Sequence, residues 1–305
     1  MMPSEAARTG VSSPRFLDPR AILSDWELRR ESESYADFQL LGRVKPRLRQ
    51  RDFVDVGCGT GETYRYLRSS YPDLRYRGFD VSHSAVDGAR FKYPGAGFDV
   101  CRQDLSDVAS KLGAAGVVWC RDIVTYQEDP FGFIERLLRI PAEAYVLRLR
   151  TRDRGATVLD PDASCQRRGN AWVPYMILNT DELSAFLSGH REIGEITVVR
   201  HYALLGGIER RYLPKDCYLE ETGTAETSVL LVRGSKDGVK PRILFEKRAH
   251  EGAQAPLWYR GMRFVKRRVT RPNGADSPRA DMGQRNAVGT TGKASRAGKS
   301  EAGPW

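Results

Sequence analysis

The chain has 305 residues, a formal net charge of +10 and 40% hydrophobic residues, enough for one large domain or two small ones with a sizeable core. Counted along the sequence, residues 1–235 hold 33 Lys/Arg and 33 Asp/Glu, whereas residues 236–305 hold 16 and 6, so the whole basic excess sits at the C-terminal end. The first three quarters of the chain are electrically balanced, so basicity says little about the substrate of a catalytic domain there.

The first twenty residues are polar and mixed, and residues 1–20 are expected to be disordered. From Ala21 to Leu48 the pattern "AILSDWELRRESESYADFQLLGRVKPRL" predicts one or two amphipathic helices, the second closed by Pro46. Strands and helices then alternate. "DFVDVGC" predicts a strand, with a helix following to Ser70; "RYRGFDVS" predicts a second strand, followed by the helix "HSAVDGARFKY". The strand "GFDVCRQD" precedes a short helix at residues 106–112, and "AGVVWCRD" precedes "PFGFIERLLRI". "AYVLRLR" is the fifth strand. Such alternation is the signature of a parallel sheet covered by helices on both faces.

A long polar stretch at 151–179 follows and reads as a lid-like insertion ordered by Trp172, Tyr175, Met176 and Leu178. Thr180 is the expected N-cap of the helix "TDELSAFLSGH". "EITVVRHYAL" and "TSVLLVRG" have no helix between them and predict an antiparallel pair. Residues 236–270 read as a basic, aromatic-bearing extension, and residues 271–305 as a disordered tail. Five scattered cysteines without CxxC spacing argue against a disulfide framework and a zinc site. With no apolar run of membrane-spanning length and no secretory leader pattern, a soluble cytoplasmic protein is the expectation.

The stretch most informative about function is "DFVDVGCGTGETYRYL", where Gly57, Gly59 and Gly61 stand between a strand and a helix. Glycines there let a ligand approach the backbone, and the helix start offers unpaired N–H donors. The dinucleotide pattern GxGxxG does not fit, because Glu62 stands where its third glycine belongs, and the Gly-Lys-Ser/Thr ending of a Walker loop is missing. Asp55, just ahead of the loop, would repel a pyrophosphate and attract an amino group.

"VDVGCGTG" resembles the first motif of class I S-adenosylmethionine-dependent methyltransferases. "YRGFDVSHSAVDGAR" resembles the second, "FDVCRQDL" the third, and "VVWCRDIVTYQEDPFGFIERLLRI" the fourth strand with its substrate-facing loop; the resemblance spans residues 30–235. It implies an α/β, doubly wound, mostly parallel seven-stranded sheet with the last strand antiparallel, a Rossmann-like fold occupying residues 21–235. It also implies S-adenosylmethionine as cofactor, contacted by Asp55, Gly57, Cys58, Gly59 and Gly61, by Asp80 and Val81, by Asp104 and Leu105, and by Cys120. Asp80 would meet the ribose hydroxyls, with Ser82 left to cap the next helix, and Asp104 would meet the adenine amino group unless it caps the turn at Ser106. Cys58 reads as a small space-filler rather than a nucleophile.

For the chemistry, the candidates are Arg121, Asp122 and Tyr126, with no histidine in that loop; the alternative for Asp122 is a cap on the segment after it, and for Tyr126 a packing residue. Arg150, Arg152, Ser164, Gln166, Trp172 and Tyr175 are candidate substrate neighbours, the arginines suiting an anion. The reading is transfer of a methyl group to a small molecule by in-line displacement, with no metal. Two alternatives stay open: a nucleic-acid methyltransferase using the basic extension, against which "EDPF" carries a single proline, and a non-enzymatic binder of the same cofactor.

Overall fold

The computed structural model describes residues 36–48, 51–113, 115–168, 171–203, 205, 211–218, 222–234 and 242–249. Expectations for residues 1–35, including the first predicted helix, and for the tail 271–305 lie outside the described residues.

Five strands and their helices follow the predicted order: α1 (Ala36–Val44), β1 (Asp52–Val56), α2 (Glu62–Ser70), β2 (Arg75–Asp80), α3 (His83–Lys92), β3 (Gly97–Val100), β4 (Ala115–Arg121), α4 (Pro130–Leu138) and β5 (Ala142–Arg152). β6 (Cys165–Arg168), β7 (Ala171–Pro174), β8 (Leu178–Asn179), α5 (Thr180–Ser188), β9 (Ile193–Tyr202), β10 (Arg211–Tyr212), β11 (Ala225–Arg233) and β12 (Arg242–Ala249) complete the described chain.

The main sheet runs β12-β9-β11-β5-β4-β1-β2-β3, with β8 pairing to β5 off this path. β1 to β5 pair in parallel, and β11 is antiparallel to both β5 and β9. Both the doubly wound α/β fold and the antiparallel β9–β11 pair are therefore as read from the sequence. Alternate residues of each strand feed opposite layers, because successive side chains point to opposite faces. Val54, Val56, Val118 and Cys120 join Phe133, Ile134 and Leu137 of α4 and Leu183 and Leu187 of α5. Phe53, Val117 and Trp119 join Leu40, Leu41 and Val44 of α1, Leu67 of α2, and Val86 and Ala89 of α3. Each fully buried aliphatic side chain of this kind contributes about 1.5–3 kcal/mol.

Three local expectations change. The helix expected at residues 106–112 shrinks to a single 3-10 turn, Ala109–Lys111. Side-chain turns win there: Asp104 Oδ1 accepts from Ser106 N at 3.0 Å and Asp107 Oδ1 from Arg102 N at 2.9 Å. Asn179, not Thr180, caps α5, its side chain accepting from the backbone of Asp181 and Glu182. Thr180 instead donates its hydroxyl to Arg152 O at 3.0 Å. Finally, residues 242–249 of the basic extension form β12, an added strand paired in parallel with β9. Arg200 of β9 lies with its guanidinium 5.5 Å from the Tyr202 ring centre and 5.4 Å from that of Phe245 in β12.

Most of the polar stretch after β5 is ordered and contributes to a small subdomain, termed the cover. β10, β6 and β7 form a separate three-stranded antiparallel sheet. Under it, Val158, Tyr175, Ile177, Leu205, Leu213 and Cys217 make a small core of their own, with Tyr126 packed against it.

Candidate active site

The glycine loop sits on the end of β2. Gly57 N and Cys58 N both donate to Phe79 O, at 2.7 and 3.1 Å, and Gly59 N donates to Asp80 Oδ2 at 2.9 Å. All three glycines have positive φ, +79, +53 and +85, a region that L side chains enter at a cost. Their surroundings differ. A Cβ on Gly57 would overlap the Ile123 side chain, and one on Gly61 would come within 2.9 Å of the Tyr93 ring. At Gly59 nothing lies within 4 Å of that position. Gly57 and Gly61 thus answer to packing within the protein, and Gly59 faces open space.

Asp80 is less free than its sequence context suggests. Ser82 does cap α3, accepting from Ala85 N, but Asp80 Oδ1 also takes Ser82 N at 2.9 Å while Oδ2 holds Gly59. Each carboxylate oxygen keeps a further lone pair for a hydroxyl donor. Val81, beside it, is 55% exposed. Asp104 Oδ1 accepts from both the amide and the hydroxyl of Ser106, which holds its carboxyl below the usual range. Leu105 adopts φ +60 and its N–H is already donated to Arg102 O at 3.0 Å.

Asp55 lies beneath the loop and is 1% exposed, so it acts on anything above only through its field. Burial pushes its pKa up to about 6, against the hydrogen bond that Tyr76 Oη donates to Oδ2 at 2.6 Å. Cys58 and Cys120 are buried thiols, and burial pushes both pKa values far up. That is the chemistry of inert fillers.

Beyond the loop, the carboxyl ends of β4 and β5 and the amino end of the antiparallel β11 carry a buried ionic network. Asp122 has φ +65, its N–H donates to Arg148 O, and its carboxylate accepts from Arg148 at 2.7 Å and Arg150 at 2.9 Å. Burial pushes the Asp122 carboxyl up, but Arg150 and Arg148 outweigh it and hold the pKa below the usual range. So Asp122 is an ionised anchor between two arginines rather than a helix cap. Glu226 of β11 takes the other side of Arg148 at 2.5 Å and approaches Arg150 at 3.6 Å. Arg121 donates its Nε to Asp37 of α1 at 2.8 Å and covers the Phe38 ring.

The cover meets this network through Tyr175, whose hydroxyl accepts from Arg150 Nε at 2.9 Å. Met176 N donates to Thr125 O at 2.7 Å, and the rings of Tyr126 and Tyr175 are 6.3 Å apart. Tyr126 therefore lines the junction between the β4 loop and the cover. Ser164 holds the Tyr175 backbone through its hydroxyl, Gln166 holds Arg211, and the Trp172 ring meets that of Tyr212 at a tilt, their centres 5.0 Å apart. Arg152 turns away to Asp216 in the cover.

Asp37, Ile123, Arg148, Arg211 and Glu226 were not singled out by sequence reading. The signal for Arg148 was present: "VLRLRTR" alternates arginines with apolar residues in a strand buried on both faces, and buried guanidinium groups demand partners.

A glycine loop clamped to the acidic end of the second strand, in a doubly wound sheet with a reversed strand between β5 and β9, defines a Rossmann-like methyltransferase architecture. Residues 54–143 match the sequence family described as a methyltransferase domain. Over that stretch, just under a third of its length, the chain is similar to class I S-adenosylmethionine-dependent methyltransferases. It is 28% identical over 174 residues to a trans-aconitate 2-methyltransferase of Acidovorax sp. (strain JS42), covering 54% of this chain and 65% of that protein. It is 24% identical over 138 residues to a putative methyltransferase 235L of Invertebrate iridescent virus 6, covering 43% of this chain and 51% of that protein. Among solved structures, an O-methyltransferase from a Brevibacillus brevis trans-AT PKS multienzyme, in complex with S-adenosyl-L-homocysteine, superposes with a TM-score of 0.46 at 14% identity, covering 74% of this chain and 81% of that one.

Proposed function

We propose that this protein transfers a methyl group from S-adenosylmethionine to a small-molecule acceptor. The observation that carries the reading is the open space at Gly59 beside a carboxylate, Asp80, with acceptor capacity to spare. The residues present fit the cofactor: the loop Gly57–Gly61 leaves room for its methionyl and ribose parts, Asp80 offers oxygens to the ribose hydroxyls, and Val81 and Asp104 flank the adenine side. When bound, the cofactor supplies a methyl group on a positively charged sulfur, ready for in-line displacement.

What the chain's own residues do is position and exclude. Transfer from a sulfonium dissipates charge, so alignment in a dry pocket supplies much of the rate. Ile123 backs the loop, Asp122 is fixed by two arginines, and Tyr126 and Tyr175 bring the cover against the β4 loop. Arg121 and Asp122 are spoken for by ion pairs, which supports positioning roles for them. Tyr126 is left as the candidate substrate contact. A nucleic-acid acceptor is disfavoured because part of the basic extension is committed to the sheet as β12.

The test is direct. Calorimetry should give binding heat with S-adenosylhomocysteine and none with NAD, and labelled S-adenosylmethionine with a metabolite extract should yield a labelled small molecule. Heat with NAD alone would falsify the reading; cofactor binding without any transfer would favour a non-enzymatic binder.

A further inference from the structure

We infer that Arg211 is the anchor for a carboxylate group on the acceptor substrate; this rests on the methyltransferase reading above and names the substrate class for that site. Arg211 lies in β10, with its guanidinium 4.2 Å from the centre of the Tyr175 ring. Its Nε and Nη2 both donate to Gln166 Oε1, at 3.3 and 3.0 Å, and its Nη1 donates to Leu205 O at 3.0 Å. All these acceptors are neutral. A guanidinium has five N–H donors, so one on each terminal nitrogen keeps no acceptor among the described residues. Two such donors on a planar frame match the two oxygens of a carboxylate.

The neighbours make the difference between a structural arginine and a binding one. Arg148 and Arg150 are neutralised by Asp122 and Glu226, and Arg121 by Asp37. Arg211 makes no ion pair with any described carboxylate, although burial and the nearby Arg150 both disfavour its charge and lower its pKa. Counting the group as Arg121, Arg148, Arg150 and Arg211 against Asp37, Asp122 and Glu226 leaves one positive charge in excess, and it belongs to Arg211. Its position is also suitable. Tyr175 beneath it contacts Arg150, which contacts Asp122, and Asp122 adjoins Ile123 against Gly57. A chain of direct contacts thus joins Arg211 to the glycine loop. A bound carboxylate would supply the missing counter-charge and sit between the cover and the β4 loop, where Tyr126 packs.

The experiment uses the full chain saturated with S-adenosylhomocysteine. Calorimetric affinities are measured for three matched pairs: benzoate and benzamide, succinate and succinamide, trans-aconitate and its trimethyl ester. Inorganic phosphate is a further arm. At least one acid should bind about tenfold or more tighter than its uncharged partner, as a charge-assisted pair requires. Arg211→Gln should abolish that preference, and Arg211→Lys, which keeps the charge and loses the fork, should restore only part of it. S-adenosylhomocysteine affinity should be the same in all three proteins, which also reports that the variants fold. Cofactor binding with no preference for any acid, a preference that survives Arg211→Gln, or phosphate binding tighter than every acid would overturn the inference alone. Failure of the unaltered protein to bind S-adenosylhomocysteine would overturn the methyltransferase reading, and this inference with it.

Discussion

At Gly59 the backbone passes through φ +53 with nothing within 4 Å of a would-be Cβ, while Gly57 has the same sign of φ and a crowded one. The two glycines should therefore fail differently when replaced. Gly59→Val is expected to abolish S-adenosylhomocysteine binding with a modest loss of stability, since its side chain fills ligand space and strains one residue. Gly57→Val should unfold or strongly destabilise the domain, because Ile123 must move as well. Calorimetry beside thermal unfolding separates them, and equal stability losses would refute the distinction. Asp80→Asn should weaken cofactor binding by roughly tenfold or more, each lost hydrogen bond to a charged acceptor being worth about 1.5–3 kcal/mol. Asp55 makes a pH prediction. Its folded pKa, about 6, lies above its ordinary value of 3.8. The folded state therefore holds a proton that the unfolded state releases, and stability falls as pH rises through that window, by up to about 3 kcal/mol. Asp55→Asn cannot ionise and still accepts the Tyr76 hydrogen bond. Its stability relative to the parent should climb between pH 4 and about 6.5; parallel stability curves would show that Asp55 titrates normally.

Strand β5 is the element on which the site turns. Its Arg148 and Arg150 are buried side by side, and their carboxylates come from the β4 loop and from β11. Removing one partner of a buried pair leaves an uncompensated charge, at a cost of about 3–5 kcal/mol. Asp122→Ala is expected to fall in that range in urea unfolding, and a loss below about 1 kcal/mol would mean that water or another group takes its place. The carboxyls of Asp122 and Glu226 are both held below their usual values, mainly by Arg150 and Arg148 against the opposing effect of burial. Their contribution is full above the unfolded carboxylate pKa, about 4, and is lost as pH falls through the lower folded values. Acid should therefore loosen the junction of β4, β5 and β11 first, opposite in sign to the effect of Asp55.

For the whole molecule, β12 closes one edge of the main sheet. It pairs with β9 along Arg242–Ala249, so a chain ending at Gly234 would leave β9 with an unpaired edge. Exposed edges template association. The shortened chain should melt at a lower temperature and scatter more light on heating, while S-adenosylhomocysteine affinity, proposed to rest on the loops after β1 and β2 away from that edge, should change little. Unchanged melting and scattering would place β12 outside the cooperative unit. Among the described residues, no helix is long and apolar enough to cross a membrane, and no group of three or more His, Cys, Asp or Glu is placed to hold a metal ion.

Gly57, Gly59, Gly61, Asp80 and Ser82 were legible in the sequence because they act locally. A glycine loop is written in residue type, a cap in one residue and its neighbours, and a strand buried on both faces in a run of apolar residues. The choice between Asn179 and Thr180 was not legible, since both are competent caps and only backbone geometry decides between them. Asp37 with Arg121 and Arg148 with Glu226 lay further out of reach, their members being 84 and 78 residues apart. The sequence alone determined the alternation of strands and helices, the loop and the acidic strand end, since these follow from side-chain period and backbone preference. Tertiary structure alone decided which arginines are neutralised, that Arg211 has no ion pair with a carboxylate among the described residues, and that a basic segment becomes a strand. Ion pairing and strand pairing join distant parts of the chain, and no local pattern encodes the partner.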